Sequence, residues 1–400
     1  MTKLDTPPAD VNLTARPQRH IGLDCREAYR ESPRGIGLYC RNLMHAFPEV
    51  APELTIELYH ERPRPSDMPK VAASLHPNHL GMKGGRWHLW ERLAMPLRMR
   101  SDGIELYHGT YNTIPPKPPL LGGPKLVVTV HDVIVTWYDD DLDDPYVRYV
   151  RKVTPRVLRQ ADAIVTVSQA SRQDIAERFQ IAPDRIEVIY NGINNQFLED
   201  PEPEAVAKAR ETIADGRPYL YAIGASLARK NTDALFPMFR ALIDSGQLRD
   251  ELLVVSGLSG ASLEARRRAA EAAGVTDRVR LIGYQDVTTL QALFAGAELF
   301  IYPTFVEGWG IPILESLACG TPVATGNATA LPEAGGDHAY YFDAHDPQSI
   351  LTTVHRAYQD RKNFARNRTE AIERARSFTW RKHAQELANL YHRLLDEPGR

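Results

Sequence analysis

The segment with the strongest chemical signature is 302–327, in which carboxylates and glycines surround the start of a predicted helix. Glu307 lies in a Gly-rich turn, and Ile311 with Pro312 opens a helix that carries Glu315. Backbone N–H groups at such a helix start, together with the helix dipole, bind anions such as phosphate. A carboxylate accepts strong hydrogen bonds from hydroxyls, which suits Glu307 to the reacting end of a ligand and Glu315 to a ribose. The residues alone favour a nucleotide or nucleotide-sugar pocket about as strongly as an ordinary strand–turn–helix crossover.

A basic pair follows a predicted strand earlier in the same half of the chain. Arg229 and Lys230 come shortly after the strand predicted over 218–225, and Gly224 lies near its end. Guanidinium and ammonium groups neutralise phosphate oxygens, so this pair suits a diphosphate. Without the glycine beside it, the pair is better explained as the solvated start of a helix.

The first half of the chain carries a short glycine loop. Gly35 and Gly37 follow the strand predicted over 20–25. A dinucleotide fingerprint requires a third glycine three residues further on, and that position is Cys40. A nicotinamide dehydrogenase is therefore disfavoured, and two glycines alone indicate no more than a tight turn.

Two histidines of the first half are candidates for chemistry. His131 precedes Asp132 at the carboxyl end of an apolar strand, where parallel α/β proteins place their active sites. A single histidine in that position is more often structural than catalytic. His108, in the segment 106–112, is the second candidate.

Short β-branched runs alternate with longer amphipathic segments along the chain. Because parallel strands need crossover helices between them, this alternation predicts an α/β fold. Runs of successive apolar residues further indicate strands buried on both faces. We therefore predict two Rossmann-like, doubly wound parallel-sheet domains that face a central cleft. The predicted strands are 126–135, 161–168, 186–193, 218–225, 252–257, 278–284, 298–304, 321–326 and 339–344.

The predicted linker between the domains is 201–216, an acidic, Pro-bearing stretch without a strand pattern. An N-terminal domain is predicted over 19–200 and a C-terminal domain over 217–400, after a disordered lead-in at 1–18. The segment 374–395 is predicted to be one long amphipathic helix that packs back on the surface.

The composition excludes several classes of function. The 400 residues carry 48 basic and 51 acidic side chains, and the net charge of −3 makes nucleic acid a poor partner. Three cysteines without Cys-x-x-Cys spacing indicate neither a disulfide framework nor a zinc site. We find no signal peptide and no apolar stretch of about 18 residues, so a cytoplasmic protein is expected.

The segment 83–100 is both basic and apolar, unlike its surroundings. Five basic residues and one acidic residue lie here among tryptophan, leucine and methionine. This composition is typical of a segment that binds an anionic membrane surface, at the cytoplasmic face of an inner membrane. A core helix that lines a cleft explains the segment equally well, since Pro96 interrupts its pattern.

The frame EGWGIPILE resembles the paired-glutamate signature of the family-4 retaining glycosyltransferases of the GT-B fold, with seven residues between Glu307 and Glu315. Four further segments resemble blocks of that family in the same order, so the similarity covers most of 20–395. The chain looks most like the bacterial mannosyltransferases of O-antigen and exopolysaccharide assembly. The further segments are DCREAYRESPRGIGLY, VVTVHDVI, ADAIVTVSQASRQDI with IEVIYNGIN, and AIGASLARKN.

The resemblance implies a role for each candidate residue. Arg229 and Lys230 would neutralise the donor diphosphate, although Ala225 stands where many relatives have a further arginine. Glu307 would contact the donor sugar and Glu315 the ribose. His131 would contact the donor sugar, and His108 the acceptor. The backbone of Trp309, Gly310 and Ile311 would contact the phosphate or the sugar. The residues near the base would be Tyr284 and Val287, and the turns that approach the donor contain Gly35, Gly37 and Gly224.

The resemblance also implies the reaction. A hexose, most readily mannose from GDP-mannose, would move with retention to a saccharide carried on a polyprenyl diphosphate, without a metal or cofactor. A UDP-sugar donor is the alternative within this class. A nucleotide-sugar epimerase or phosphorylase, and a non-catalytic scaffold that binds a nucleotide sugar, are the alternatives outside it.

Overall fold

Each half of the chain forms one parallel β-sheet with helices on both faces. The structure is a computed structural model that describes residues 18–31, 33–66, 68, 72–79, 90–117, 123–138 and 144–397. In this part of the chain the first sheet has seven strands and the second has six. The predicted fold class of two Rossmann-like, doubly wound domains is confirmed. Almost all of the predicted lead-in at 1–18 lies outside the described residues.

The first sheet has the strand order β3-β2-β1-β4-β5-β6-β7, and the second has the order β10-β9-β8-β11-β12-β13. The strands of the first sheet are β1 (Arg19–Asp24), β2 (Leu54–His60), β3 (Leu75–His79), β4 (Leu106–Gly109), β5 (Lys125–Thr129), β6 (Ala163–Thr166) and β7 (Ile186–Val188). Those of the second are β8 (Tyr219–Ile223), β9 (Leu252–Ser256), β10 (Val279–Leu281), β11 (Leu299–Tyr302), β12 (Val323–Gly326) and β13 (Ala339–Phe342).

Helices cross over between the strands and cover both faces of each sheet. This is why inner strands such as β6, β9 and β11 are buried along their whole length and consist mostly of apolar or β-branched residues. The α-helices are α1 (Ile36–Val50), α2 (Met95–Ser101), α3 (Pro145–Gln160), α4 (Gln169–Phe179), α5 (Pro203–Ala214), α6 (Leu235–Asp244), α7 (Gly260–Ala272), α8 (Val287–Gly296), α9 (Ile311–Ala318), α10 (Leu331–Gly335), α11 (Pro347–Arg376) and α12 (Trp380–Asp396). One turn of π-helix (Trp90–Ala94) precedes α2.

The strand order of each sheet reverses once, at a switch point, and this reversal determines where a ligand binds. β1 pairs with β4 in the first sheet, and β8 pairs with β11 in the second, so the chain leaves each of these pairs toward opposite edges. Ligands of doubly wound sheets bind beyond the carboxyl ends of the strands at such a point. The carboxyl ends of β8 and β11 are therefore the favoured binding position in the second domain.

The connection between the domains differs from the linker predicted at 201–216. Most of that stretch is α5, which packs against α8 of the second domain. Phe197 already lies in the core of the second domain, so the chain crosses earlier than predicted. The crossing segment is hydrogen-bonded to the returning chain, where the N–H of Ile193 donates to the carbonyl of Phe378 at 3.0 Å.

The single helix predicted over 374–395 is two helices, α11 and α12. The break occurs at Thr379, whose side chain caps α12 by accepting a hydrogen bond from the N–H of Lys382 at 3.1 Å. α12 then packs against α1, and its apolar face lies in the core of the first domain. The last helix thus belongs with the first domain, whereas the prediction placed it in the domain 217–400.

Most of the predicted strands are longer than the observed ones, and the difference is largest for β5 and β7. β5 ends at Thr129, within the strand predicted over 126–135, because the following residues turn. The Asp132 carboxylate stabilises this turn by accepting a hydrogen bond from the N–H of Ile134 at 3.0 Å. β7 covers only the first residues of the strand predicted over 186–193.

Candidate donor site

The loop after β8 carries the basic pair and is tied to the loop after β11. Arg229 and Lys230 lie in a 3-10 turn (Ala228–Lys230) that ends at Asn231, which has a left-handed backbone with φ of 49°. The Asn231 side chain donates to the carbonyl of Ala344 at 3.1 Å. The carbonyl of Arg229 accepts from the N–H of Phe305 at 2.8 Å. The first bond joins this loop to the chain after β13. The second joins it to the chain after β11, so the carboxyl ends of β8 and β11 form one site.

Glu307 is the centre of this site, where both carboxylate oxygens accept hydrogen bonds. Its Oε2 accepts from Arg229 Nη1 at 3.1 Å. Its Oε1 accepts from Lys230 Nζ, from the Tyr302 hydroxyl at 2.8 Å and from Thr304 Oγ1 at 3.0 Å. Three of the predicted catalytic residues are therefore in direct contact, at the position that the strand order favours.

The electrostatics of this cluster follow from burial and from the charges in contact. Burial opposes the ionisation of Glu307, yet Lys230 and Arg229 lower the pKa of its carboxyl to about 2. Burial lowers the pKa of the Lys230 ammonium, and the Glu307 charge opposes this shift. Glu307 and the nearby Asp132 carboxyl both act on these two cations, so Lys230 and Arg229 are the groups of the cluster that can pair with an anionic ligand.

Glu315 lies in α9 and has the opposite surroundings. Its side chain is buried, and no hydrogen bond to it is found within the described residues. Burial raises the pKa of the Glu315 carboxyl to about 8. The neutral acid therefore predominates at pH 7, so Glu315 can both donate and accept a hydrogen bond.

The first domain contributes the turn after β5 to the same region. Gly308 lies against Asp132, and a Cβ at Gly308 would come within 2.6 Å of Asp132 Oδ2. The hydroxyl of Ser171 donates to the carbonyls of His131 and Gly308, at 3.2 and 3.3 Å. The absence of a side chain at Gly308 thus allows the domains to meet beside Glu307.

His131 lies at this contact but is not ionised at neutral pH. Burial lowers the pKa of its imidazole to about 4, although a hydrogen bond to the Thr110 carbonyl opposes the shift. That carbonyl lies 3.1 Å from Nε2 and can only accept, so Nε2 carries the proton. The backbone N–H of His131 donates to Asn112 Oδ1 at 3.1 Å.

The predicted glycine loop and the predicted base-binding residues face each other across the cleft. The guanidinium of Arg34 stacks on the ring of Tyr284, 4.6 Å from its centroid. Gly35 has a φ of 48°, and a Cβ at Gly37 would come within 2.7 Å of the Glu27 carbonyl oxygen. These two glycines allow the tight turn that presents Arg34 to the second domain.

The other predicted donor contacts lie in or beside the loops of the second domain. Val287 is the first residue of α8, and Ile311 is the first of α9. Gly224 follows β8, and a Cβ there would come within 2.9 Å of Leu258. The Trp309 ring stacks on Tyr190 with centroids 4.8 Å apart, so its backbone rather than its side chain remains for a ligand.

His108 does not face an acceptor, and that prediction is corrected. Its side chain is fully buried, with Nδ1 at 2.5 Å from the Tyr391 hydroxyl and Nε2 at 2.7 Å from Thr129 Oγ1. Burial lowers the pKa of the imidazole to about 3. The reason is the return of α12, which covers the strand ends where His108 would otherwise be accessible.

Comparison with known families gives a match for each half of the chain. A family model described as "Glycosyltransferase Family 4" matches residues 33–197, and one described as "Glycosyl transferases group 1" matches residues 203–378. The chain belongs to the glycosyltransferases. The resemblance that the sequence motifs indicated is confirmed.

Two curated relatives of this glycosyltransferase are mannosyltransferases of Escherichia coli. The O-antigen chain mannosyltransferase B is 28% identical over 300 residues, which is 75% of this chain and 77% of that protein. The serotype-specific mannosyltransferase WbdA is 28% identical over 277 residues, or 68% of this chain. The match spans only 34% of the length of WbdA.

The fold of the glycosyltransferase is similar to that of solved structures. Sucrose-phosphate synthase from Thermosynechococcus elongatus superposes with a TM-score of 0.73, over 94% of this chain and 99% of that chain. The sequence identity is 19%, so this likeness shows the fold alone. The predicted GT-B arrangement is confirmed.

Sequence reasoning missed several residues of the glycosyltransferase site. Tyr302 ends β11 and Thr304 lies just beyond it, and both donate hydrogen bonds to the Glu307 carboxylate. Thr329 accepts a hydrogen bond from the Glu307 N–H at 3.0 Å. The sequence motifs likewise did not predict Arg34, whose guanidinium stacks on Tyr284. Tyr302 and Thr304 could have been found, because hydroxyl side chains at the end of a buried strand beside a candidate carboxylate are its natural donors.

The described residues form neither a metal-ligand cluster nor a membrane-spanning helix. No group of three or more His, Cys, Asp and Glu side chains in this part of the chain is arranged to hold a metal ion. No helix among the same residues is long and apolar enough to cross a membrane.

Proposed function

We propose that this glycosyltransferase transfers mannose from GDP-mannose, with retention of configuration, to the hydroxyl of a saccharide acceptor. The observation that carries the proposal is the Glu307 carboxylate held between Lys230 and Arg229 at the switch point of the second domain. The two mannosyltransferase relatives support the choice of sugar.

Donor binding would exchange the partners within this cluster. The diphosphate of the donor takes the positive charges of Lys230 and Arg229, and hydroxyls of the hexose donate to the Glu307 carboxylate. The buried acid of Glu315 then pairs with the ribose. Each charged group keeps a hydrogen-bond partner throughout, so burial of the donor leaves no charged group without a hydrogen bond.

The basic pair would also lower the barrier to transfer. Negative charge develops on the leaving diphosphate, and fixed cations in a buried site stabilise it without reorganisation. The bond from C1 of mannose to the diphosphate oxygen breaks while the acceptor oxygen bonds to C1 from the same face. The acceptor proton passes to the leaving diphosphate oxygen, giving GDP and the mannoside.

Glu307 is a poor nucleophile for the alternative, two-step route. Four side chains donate hydrogen bonds to its carboxylate, and its lowered pKa makes it a weak base. In the proposed donor complex Tyr302, Thr304 and the hexose hydroxyls would still donate to this carboxylate, and a covalent mannosyl intermediate on Glu307 would require the loss of those bonds. The proposal therefore assigns proton acceptance to the diphosphate.

The test is the turnover of GDP-mannose with octyl α-mannopyranoside as the acceptor probe. We expect a new mannoside whose one-bond C–H coupling at the anomeric carbon identifies an α linkage, and lower rates with UDP-glucose and UDP-galactose. Faster transfer from a UDP-sugar would contradict the GDP-mannose assignment. Interconversion of the sugar nucleotide without acceptor, release of sugar phosphate in the presence of phosphate, or binding without turnover would indicate an epimerase, a phosphorylase or a scaffold respectively.

We further propose that the acceptor is lipid-linked and is reached at an anionic bilayer. Leu93 and Leu97 lie one helical turn apart before and within α2, with 64% and 71% of their surfaces exposed. Arg92 is exposed beside them, so an apolar pair is flanked by positive charge. The first part of the predicted membrane segment, 83–89, lies outside the described residues.

Vesicle co-sedimentation at low salt tests this membrane contact. The protein should sediment with vesicles containing phosphatidylglycerol and remain in solution with pure phosphatidylcholine. The double variant Leu93→Ser/Leu97→Ser should lose binding, whereas Leu38→Ser, which changes an exposed leucine of α1, should keep it. Equal sedimentation of both variants would contradict the proposal.

A further inference from the structure

Tyr302 occupies a special position between the two charged partners of the donor site. It is the last residue of β11, and only 3% of its surface is exposed. Its hydroxyl accepts a hydrogen bond from Lys230 Nζ at 2.8 Å and donates one to Glu307 Oε1, also at 2.8 Å. The Lys230 ammonium also lies 5.3 Å from the centroid of the Tyr302 ring.

We propose that Tyr302 is a positioning residue, which keeps Lys230 and Glu307 in place when the donor separates them. This inference rests on the proposed function, because it assumes that a sugar diphosphate inserts between these two side chains. Tyr302 itself need not touch the donor, since it acts through its two hydrogen bonds.

The need for such a residue follows from the ligand-free geometry. Within the described residues, Lys230 makes side-chain hydrogen bonds to Glu307 and Tyr302. When sugar hydroxyls occupy Glu307, the hydroxyl of Tyr302 is the contact that remains. A lysine side chain without a fixed partner samples many rotamers, so fixing it again at the diphosphate costs conformational entropy.

A neutral hydroxyl suits this task better than a second carboxylate. It accepts from the ammonium without neutralising it, so the positive charge of Lys230 remains available to the diphosphate. The Tyr302 ring is itself fixed by burial and by stacking on Phe300, with centroids 5.8 Å apart. Thr304 supports Glu307 in the same way, at 3.0 Å.

Removing this hydroxyl should also change the titration of Lys230. The charged groups that act on Lys230 are Glu307, Arg229 and Asp132, and all three remain in a Tyr302→Phe variant. Glu307 stays ionised at the alkaline pH where Lys230 titrates, so the difference between the two forms of Lys230 is the hydrogen bond that the ammonium loses, and the pKa of Lys230 should fall. A purely structural role for Tyr302 would not shift this titration.

Tyr219→Phe is the matched control. Tyr219 lies in β8 of the same sheet, is fully buried, and donates its hydroxyl to the carbonyl of Leu293 at 2.8 Å, away from the cluster. Both variants remove one buried hydroxyl, so their thermal unfolding shows the shared cost of that loss. Only Tyr302→Phe alters the contacts of Lys230.

The kinetic test measures kcat and KM against pH with the nucleotide sugar that the wild type turns over. Tyr302→Phe should lower kcat/KM by about 10- to 100-fold. The alkaline limb of its profile should move about one unit lower. In a Lys230→Ala background the Tyr302→Phe change should cause little further loss. Unchanged kinetics in folded Tyr302→Phe, or losses that multiply in the double variant, would overturn the proposal.

A second readout separates this proposal from the proposed function. Competitive labelling with acetic anhydride, followed by mass spectrometry, gives the pKa of Lys230 without any donor. A lower value in Tyr302→Phe, but not in Tyr219→Phe, supports the positioning role even if GDP-mannose is not turned over. An unchanged value in Tyr302→Phe overturns it, whatever the outcome of the transfer assay.

Discussion

Glu307 lies in the loop before α9 and Glu315 lies within α9, and the two carboxyl groups differ in their charged neighbours and in their hydrogen-bond partners. Glu307 accepts hydrogen bonds from four side chains, two of them cations, and the pKa of its carboxyl is lowered to about 2. Glu315 lies in α9, eight positions after Glu307, and no cation or hydroxyl among the described residues donates to its carboxyl group. Burial raises the pKa of this carboxyl to about 8. The same residue type is therefore an anion at one position and a neutral acid at the other.

This difference shows how one strand–turn–helix unit can bind two chemical parts of one ligand. The loop at the end of β11 places Glu307 within reach of the basic pair from β8, because those strands are neighbours at the switch point. The helix places the Glu315 side chain in the interior, where no cation among the described residues pairs with it. A charged sugar diphosphate suits the first environment, and a ribose hydroxyl pair suits the second.

The largest expected effect on turnover comes from removing a cation that contacts Glu307. Lys230→Ala should lower kcat by about 100- to 1000-fold, because one fixed charge on the leaving diphosphate is lost. Lys208→Ala removes an exposed lysine of α5 and should leave kcat unchanged. Steady-state kinetics of both variants provide the measurement. Near-normal turnover of folded Lys230→Ala would contradict the role of the basic pair.

His108 is buried and both of its ring nitrogens are hydrogen-bonded, so it should contribute to stability and not to ligand binding. His108→Ala removes two buried hydrogen bonds and leaves a cavity between the first sheet and α12, which should cost about 2–4 kcal/mol of unfolding free energy. Urea unfolding gives this value, and the KM for the acceptor should not change. A raised KM without a loss of stability would restore the acceptor role that the structure argues against.

Stability as a function of pH should distinguish the two glutamates by the sign of the slope. The folded pKa of Glu307 lies below its ordinary value near 4.5, so its contribution is present above pH 4.5 and is lost as the pH falls toward 2. The folded pKa of Glu315 lies above that value, so stability is lost as the pH rises from 4.5 through 8. Glu315→Gln should therefore be more stable than the wild type at pH 9, by about 2 kcal/mol or more, and similar at pH 5.

Urea unfolding of the wild type, Glu315→Gln and Glu271→Gln over pH 4 to 9 provides the comparison. Glu271 is an exposed glutamate of α7, so its variant should follow the wild type at every pH. Parallel curves for all three proteins would show that Glu315 is ionised in the folded state. The contrast between the two carboxylates would then not hold.

The smallest expected effect is that of metal removal. The charge of the diphosphate is met by Lys230 and Arg229, so we expect transfer to proceed without a bound metal. Dialysis against EDTA should leave the rate of transfer unchanged, and added magnesium should not raise it. A rate that falls with EDTA and returns with magnesium would contradict this prediction.

Much of the fold could be predicted from the sequence, because its signals are local. Alternating apolar runs and amphipathic segments predict strands and helices, and buried parallel strands follow from runs of successive apolar residues. The break at Thr379 and the return of α12 to the first domain could not be predicted in this way. That return depends on packing against α1, a contact between opposite ends of the chain.

The candidate site shows the same division. Glu307, Lys230 and Arg229 were predicted from motifs, and their contact follows from the pairing of β8 with β11. The burial of His108 was not predictable, because its partner Tyr391 lies 283 positions away. The difference in ionisation between Glu307 and Glu315 was likewise hidden, since it depends on which side chains surround each carboxyl.

The central claim, that Lys230 and its neighbours bind the donor diphosphate, is tested most directly by calorimetric titration. GDP and GMP are titrated into the wild type, Lys230→Ala and Lys208→Ala, with UDP as a further ligand. The wild type and Lys208→Ala should bind GDP at least about 10-fold more tightly than GMP, and Lys230→Ala should lose most of this preference. Binding of GDP to Lys230→Ala as tight as to the wild type would contradict the claim.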